Sequence, residues 1–287
     1  MSKPVWKLKF YGVRGSIPVC SPEVNEFGGN TTCFCLDLLE KEEDEKVTVI
    51  FDAGTGIRQL GKDILSGAIP KAERILINFS HFHWDHIQGF PFFAPAYLPD
   101  QRIAIFSPHF LNQDVEKLYQ VLGRQMHSEY FPVQLDMMGA DLSFFTQEQC
   151  QNAIGMDNKV RFSYNKHNHP GGAYGYRLDA FDKSVVICTD VEHGEEIDPE
   201  VVAFCQDADL LVHEAQYTDE ELVRRRGWGH SSFSQAIEVA ERANVKQLYI
   251  THHDPDHEDD FLLEIEHQCQ KRFPNCFLAR EGQEVLV

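Results

Sequence analysis

Short apolar runs rich in β-branched residues alternate along the chain with segments whose apolar positions recur every three or four residues. Runs of the first kind read as strands and those of the second as amphipathic helices. Strands are predicted at residues 7–11, 32–38 and 47–51, the second and third joined as a hairpin across a charged tip at 40–45. Gly54-Thr55-Gly56 breaks the chain ahead of a helix that runs to about residue 65, and a strand at 75–79 follows. From 89 to about 158 the pattern loosens into aromatic and proline-bearing segments with one amphipathic helix near 111–122. This stretch reads as an insert covering a site within a single domain of residues 1–287. Strands at 160–165, 174–178, 184–188 and 209–212 come next. A helix at 232–243 then places Phe233, Ala236, Ile237 and Ala240 on one face, and 247–250 is a last short strand. Strands followed by helices in both halves predict an α/β protein with two sheets face to face and helices outside.

The strand at 75–79 ends in His81-Phe82-His83-Trp84-Asp85-His86. Three imidazoles and a carboxylate are the nitrogen and oxygen ligands that divalent first-row cations prefer. Converging them without a cation would leave the cost of desolvating the carboxylate unmet. A buried strand that stops abruptly in such residues presents them at the rim of its sheet, where open α/β folds carry their sites. Three more strands end in metal-competent residues: at His167-Asn168-His169, at Asp190 and at His252-His253-Asp254. Together they supply the ligand types that a two-metal site lacks, since an aspartate between two cations can bridge them.

With 43% hydrophobic residues the chain can bury a full core. No apolar stretch approaches the roughly 20 residues that span a bilayer, and residues 1–6 lead into a strand without a signal-peptide core, so a cytoplasmic protein without membrane contacts is expected. The eight cysteines include no CxxC pair and read as reduced structural thiols, although Cys33 and Cys35 face one side of a strand and leave a ligand role open. A net charge of −19 weighs against a large nucleic acid as partner, because such binding rests on neutralising phosphates. Only Arg224-Arg225-Arg226 resembles a phosphate-binding patch, and the end of a helix explains it as well. The acidic stretches at 40–45 and 254–260 read as a hairpin tip and a loop with charges in water.

The residues His81, His83, Asp85 and His86 meet in full the HxHxDH pattern of the metallo-β-lactamase superfamily, which the chain resembles. The resemblance implies a four-layer αβ/βα sandwich of two mixed sheets. It also implies two divalent ions, zinc or alternatively manganese, with His81, His83 and His169 on one, Asp85, His86 and His252 on the other, and Asp190 bridging. His252 is preferred to His253 because Thr251-His252 matches a pair in the RNA-processing branch. His213-Glu214 followed by Gly229-His230-Ser231 looks like the segments that mark the phosphodiesterase branch, which includes tRNase Z. There the glutamate holds a histidine that protonates the leaving oxygen, roles that fall here on Glu214 and His230, while Asp85 orients the attacking water.

Residues 11–18 and 27–32, Tyr130-Phe131-Pro132-Val133 and His252-His253-Asp254-Pro255 are similar to bacterial and phage cyclic-nucleotide phosphodiesterases, including the anti-Pycsar proteins. Hydrolysis of a cyclic nucleotide or another small phosphodiester is therefore expected, by a homodimer as is common among such relatives. His253 is expected behind the ligands or against the substrate. A tRNase Z-type RNA endonuclease and a zinc-dependent lactonase or thioesterase are the alternatives. The first would need a basic, glycine-rich arm that the insert lacks, and the second would have no use for Glu214 and His230.

Overall fold

The computed structural model describes residues 4–39, 47–110, 115–154 and 160–287. The charged tip at 40–45 and the start of the helix expected from 111 lie outside the described residues. One sheet contains β1 (Trp6–Gly12), β2 (Cys33–Leu38), β3 (Val47–Phe51), β4 (Arg74–Asn78), β5 (Arg102–Phe106), β6 (Asp141–Phe144) and the late strand β13 (Glu284–Leu286), in the order β13-β1-β2-β3-β4-β5-β6. The other contains β7 (Val160–His167), β8 (Ala173–Ala180), β9 (Lys183–Cys188), β10 (Leu210–Glu214), β11 (Leu248–Thr251) and β12 (Cys276–Leu278), in the order β12-β11-β10-β9-β8-β7. Both sheets are mixed: β3 to β6 run parallel in one, and β9 to β12 in the other.

Alternation along the strands creates the layers. In β4, Ile75 and Ile77 face outward to a cluster with Ile57, Leu60 and Ile64 of α1 (Ile57–Ser66), whereas Leu76 faces the other sheet. In β9, Val185 and Ile187 point between the sheets, and Val186 and Cys188 point outward to the second helical layer. Phe10, Phe34, Leu76 and Phe106 of the first sheet meet Phe162, Tyr176, Leu178 and Val212 of the second, the dry centre of a four-layer αβ/βα sandwich. The helices between and around these strands are α2 (Trp84–Ile87), α3 (Val115–Gln125), α4 (Gln147–Ile154), α5 (Pro199–Phe204), α6 (Asp219–Arg224), α7 (Phe233–Arg242) and α8 (Asp259–Arg272). The helix expected at 232–243 is α7 with Ser232 as its N-cap, in a capping box with Gln235.

Two expectations are corrected. Residues 89–158 do not stand apart as one insert over the site, because β5 and β6 inside them extend the first sheet by parallel pairing. The apolar run Ile103-Ala104-Ile105-Phe106 is the buried part of the five-residue β5, too short to stand out in an aromatic-rich context. Nor is 254–260 simply a solvated loop: Asp254 and His257 are buried, and Asp259 opens α8 while accepting from the backbone N–H groups of Glu26 and Phe27.

The cysteines are free, and all but Cys20 are buried. Cys33 and Cys35 pack with Tyr11, Ile50 and Ile77 in the cluster under α1. Among the described residues no helix is long and apolar enough to cross a membrane. Leu76 is fully buried between the sheets, so Leu76→Ala should lower unfolding free energy by about 2–5 kcal/mol. Urea denaturation measures it, and an unshifted midpoint would mean that the sheets do not pack through this layer.

Candidate metal centre

All the strands that carry the expected ligands deliver them at one end of the sandwich. His81 and His83 follow β4 in extended chain, His83 is the N-cap of α2, and Asp85 and His86 occupy its first turn. Asp190 follows β9, His252 follows β11, and His169 lies two residues beyond β7. Asp190 and His252 both adopt left-handed backbone (φ 51° and 63°), which turns the chain sharply at the strand end. Such conformations are costly for non-glycine residues and concentrate at functional sites.

The donor atoms converge. One ligand atom each of His81, His83 and His169 lie within 4.8 Å of one another, as do those of Asp85, His86 and His252, and those of His81, His86 and Asp190. Asp190 lies between the first two groups: its Oδ2 is 3.1 Å from His86 Nε2, and its Oδ1 is 3.4 Å from His252 Nε2, 3.9 Å from His81 Nε2 and 4.0 Å from His169 Nε2. Asp85 Oδ2 faces His252 Nε2 at 3.1 Å and His86 Nε2 at 3.3 Å. His83 Nδ1 and His169 Nε2 approach to 3.0 Å. Because His169 Nδ1 donates to the Gly229 carbonyl (2.8 Å), its Nε2 offers a lone pair to the centre. His81 Nε2 is buried without a hydrogen-bond partner among the described residues. A cation suits this donor set, which is all imidazole nitrogen and carboxylate oxygen.

The electrostatics point the same way. Burial alone would push Asp190 up, yet His252, His86 and His81 hold it well below the usual carboxylate range. Burial also opposes Asp85, which His86 and His252 hold well below that range. Burial disfavours a charge on His86, but Asp190, Asp85 and Asp52 hold it well above an ordinary imidazole. His81 is held well below one by burial and by His86 beside it. The carboxylates thus demand positive charge that the rings can supply only by taking protons into a buried pocket.

Several supports were not anticipated from sequence. Asp52, directly after β3, accepts from His86 Nδ1 at 2.8 Å and from the N–H and hydroxyl of Ser80 at 2.7 and 2.8 Å. It fixes the ring so that Nε2 faces the centre, a carboxylate–histidine pair common behind bound metals. Its signal was a carboxylate ending an apolar strand, the same signal that marked Asp190. The Ser16 N–H donates to Asp85 Oδ2 at 2.8 Å. Gly15 lies so close to the His252 ring that a Cβ there would fall 2.3 Å from Nδ1. Arg14, fully buried, donates to the carbonyls of Gly28, Asp254 and His257, so the N-terminal motif clamps the segment that carries His252.

Other histidines turn away. His253 is buried, donates to the Ala279 carbonyl at 3.0 Å and stands edge-on to Phe27; it does not reach the mouth of the site. Burial and then Arg14 push it down to about 3. His167 faces the Thr189 carbonyl and is pushed down to about 4 by burial. His230 does join the centre, with Nδ1 3.8 Å from Asp190 Oδ1 and 3.6 Å from Glu214 Oε2. The second contact is an ion-pair distance, too long for a hydrogen bond. Glu214, at the end of β10, is fully buried, and its Oε1 accepts from the N–H groups of Ser231 (2.6 Å) and Val191 (3.3 Å). Burial pushes Glu214 up and His230 holds it below its ordinary range.

The model of the β-lactamase superfamily domain matches residues 47–253, which include His81, His83, Asp85, His86, His169, Asp190 and His252. The chain belongs to the β-lactamase superfamily. It is accordingly a hydrolase, and its His/Asp cluster is suited to divalent metal. The superfamily member is 24% identical to ribonuclease Z of Lactiplantibacillus plantarum over 295 residues, covering 88% of this chain and 91% of that one. It is 39% identical to ribonuclease Z of Gemmatimonas aurantiaca over 84 residues, which span 29% of this chain and about a quarter (26%) of that protein. Its fold is similar to the metallo-β-lactamase fold protein YhfI from Bacillus subtilis (TM-score 0.65, 17% identity, 98% and 99% of the two chains). It is also similar to a diphosphatase of the PhnP family (TM-score 0.63, 18% identity, 98% and 97%).

Asp52→Asn should weaken divalent-metal affinity about 10- to 100-fold by removing the charge that orients His86. Competition against a chromophoric chelator measures it, and unchanged affinity would show that His86 needs no such support.

Proposed function

We propose that the chain is a phosphodiesterase that works with two divalent ions, zinc or alternatively manganese, and hydrolyses cyclic nucleotides. His81, His83 and His169 would hold one ion and Asp85, His86 and His252 the other, with Asp190 shared. When bound, such a pair lowers the pKa of water and neutralises phosphoryl oxygens.

The observation that carries the reading is the buried Glu214 beside His230. Two backbone N–H groups fix Glu214 Oε1, and the free Oε2 lies toward His230 Nδ1. The 3.6 Å between them is longer than a hydrogen bond, but catalytic contacts are commonly long without substrate and tighten on binding; a proton then held on Nδ1 by that carboxylate would leave the ring to exchange its other proton at Nε2, as a general acid does. An alkoxide leaving from phosphorus needs that proton. Asp85, held through Oδ2 by the Ser16 N–H, orients the water that attacks from the opposite side. Thioester hydrolysis on the same donors expels a thiolate, which leaves without that proton.

Charge supports a small substrate. The chain has 26 Lys and Arg against 45 Asp and Glu, and the stretch 89–158 has three against eight. A surface of that sign repels a polyanion at long range, whereas one cyclic phosphodiester carries a single negative charge that the centre can neutralise locally. RNA cleavage is the second reading, favoured by the relatives named ribonuclease Z.

His230→Ala should reduce turnover of a 3′,5′-cyclic nucleotide about 10²- to 10⁴-fold and reduce that of bis(p-nitrophenyl) phosphate far less, since p-nitrophenolate leaves without a proton. Equal losses on both substrates would assign His230 to positioning the phosphate. Steady-state rates on cyclic nucleotides and on a precursor tRNA, measured side by side, separate the two substrate readings. Turnover of the tRNA alone would replace the proposal with the nuclease.

A further inference from the structure

The chain has three tryptophans. Trp6 is buried between the sheets, whereas Trp84 and Trp228 are 67% and 61% exposed. Both adjoin residues of the centre along the chain: Trp84 stands between His83 and Asp85, and Trp228 two residues before His230. His169 connects the two places, since its Nε2 lies 3.0 Å from His83 Nδ1 and its Nδ1 donates to the carbonyl of Gly229, the residue after Trp228. The backbones that carry the two tryptophans therefore adjoin one edge of the donor cluster.

An exposed aromatic on a loose loop would be ordinary surface, but this loop is clamped. The carboxylate of Glu192, two residues after Asp190, accepts from the N–H of Gly227 through Oε1 and from that of Gly229 through Oε2, both at 2.7 Å. Its own backbone N–H donates to the Asn168 carbonyl at 2.9 Å, and Asn168 Nδ2 donates back to its carbonyl at 3.1 Å. Both glycines are left-handed (φ 86° and 92°), and a Cβ on Gly229 would lie 2.1 Å from His169 Nδ1. The backbone on either side of Trp228 is thus held against the site while the ring stays in water. Among the described residues the indole makes no hydrogen bond, ring contact or cation–π contact. Order already present in the loop is order that binding does not have to impose.

We propose that Trp228, with Trp84 across the His83–His169 edge, stacks on the nucleobase of the substrate and makes the enzyme select nucleotides among phosphodiesters. Stacking is available to every base and needs no positive charge, which fits an acidic protein. Two residues of chain reach at most about 7 Å, so the Trp228 backbone is tethered within that distance of His230, and its side chain is long enough to meet the base of a nucleotide whose phosphate lies at the centre. The inference rests on the phosphodiesterase reading.

Thymidine 5′-p-nitrophenyl phosphate and the p-nitrophenyl phosphate ester of the corresponding base-free 1,2-dideoxyribose 5′-alcohol share the reacting bond, the sugar and the leaving group and differ in the base. The ratio of their kcat/KM values should fall about 5- to 100-fold in Trp228→Ala and be largely kept in Trp228→Phe. Tryptophan fluorescence gives a second readout: adenosine 5′-monophosphate should quench it, ribose 5-phosphate should not, and the difference should shrink in Trp228→Ala and vanish when Trp84 is also replaced by Phe. An unchanged ratio, or base-dependent quenching undiminished in Trp228→Ala, would overturn the role of Trp228. If the native protein hydrolyses neither ester, the phosphodiesterase reading fails instead, and the quenching comparison still decides whether the indole meets a base.

Discussion

Imidazole nitrogens and carboxylate oxygens crowded into a buried pocket need positive charge between them, and the rest of this structure is arranged around that need. His83 and His169 bring ring nitrogens to 3.0 Å, and Asp190 stands among His86, His252, His81 and His169. In water such groups would separate. Here strand ends from two sheets fix them, and Asp85 and Asp190 are held ionised despite burial. A divalent cation meets that charge with fixed ligands and spares the rings from carrying buried protons.

The sandwich makes the convergence possible because parallel strands in both sheets end at the same edge. β4 brings the His81–His86 segment, β9 brings Asp190, β10 brings Glu214, and β11 brings His252. The turns that follow are left-handed at Asp52, Asp190 and His252, and each such non-glycine residue costs of order 1–3 kcal/mol. The dry packing between sheets and the Arg14 clamp on the His252 segment offset that strain. Glu192 extends the logic to the rim, where one carboxylate holds the loop that carries Trp228 and His230.

Much of this was legible in the sequence because the signals were local. The continuous apolar run Ile75-Leu76-Ile77 marked a buried strand, and its ending in His81-Phe82-His83-Trp84-Asp85-His86 marked the site. The apolar spacing of Phe233, Ala236, Ile237 and Ala240 marked α7 equally plainly. What stayed hidden depends on tertiary pairing. Arg102–Phe106 and Asp141–Phe144 become strands only by joining the edge of the first sheet. The acidic run at 254–260 conceals a helix start because Asp259 is satisfied by backbone groups some 230 residues earlier in the chain. Asp52 and Glu192 escaped notice because an isolated carboxylate carries no spacing pattern; their roles appear once His86 and Gly229 lie beside them.

Anomalous diffraction from crystals of the metal-loaded protein tests the central claim most directly. The account expects two peaks about 3.5–4 Å apart, one among His81, His83 and His169 and one among Asp85, His86 and His252, with the Asp190 carboxylate reaching both. A single peak, or density seated instead among Glu214, His230 and His252, would contradict it.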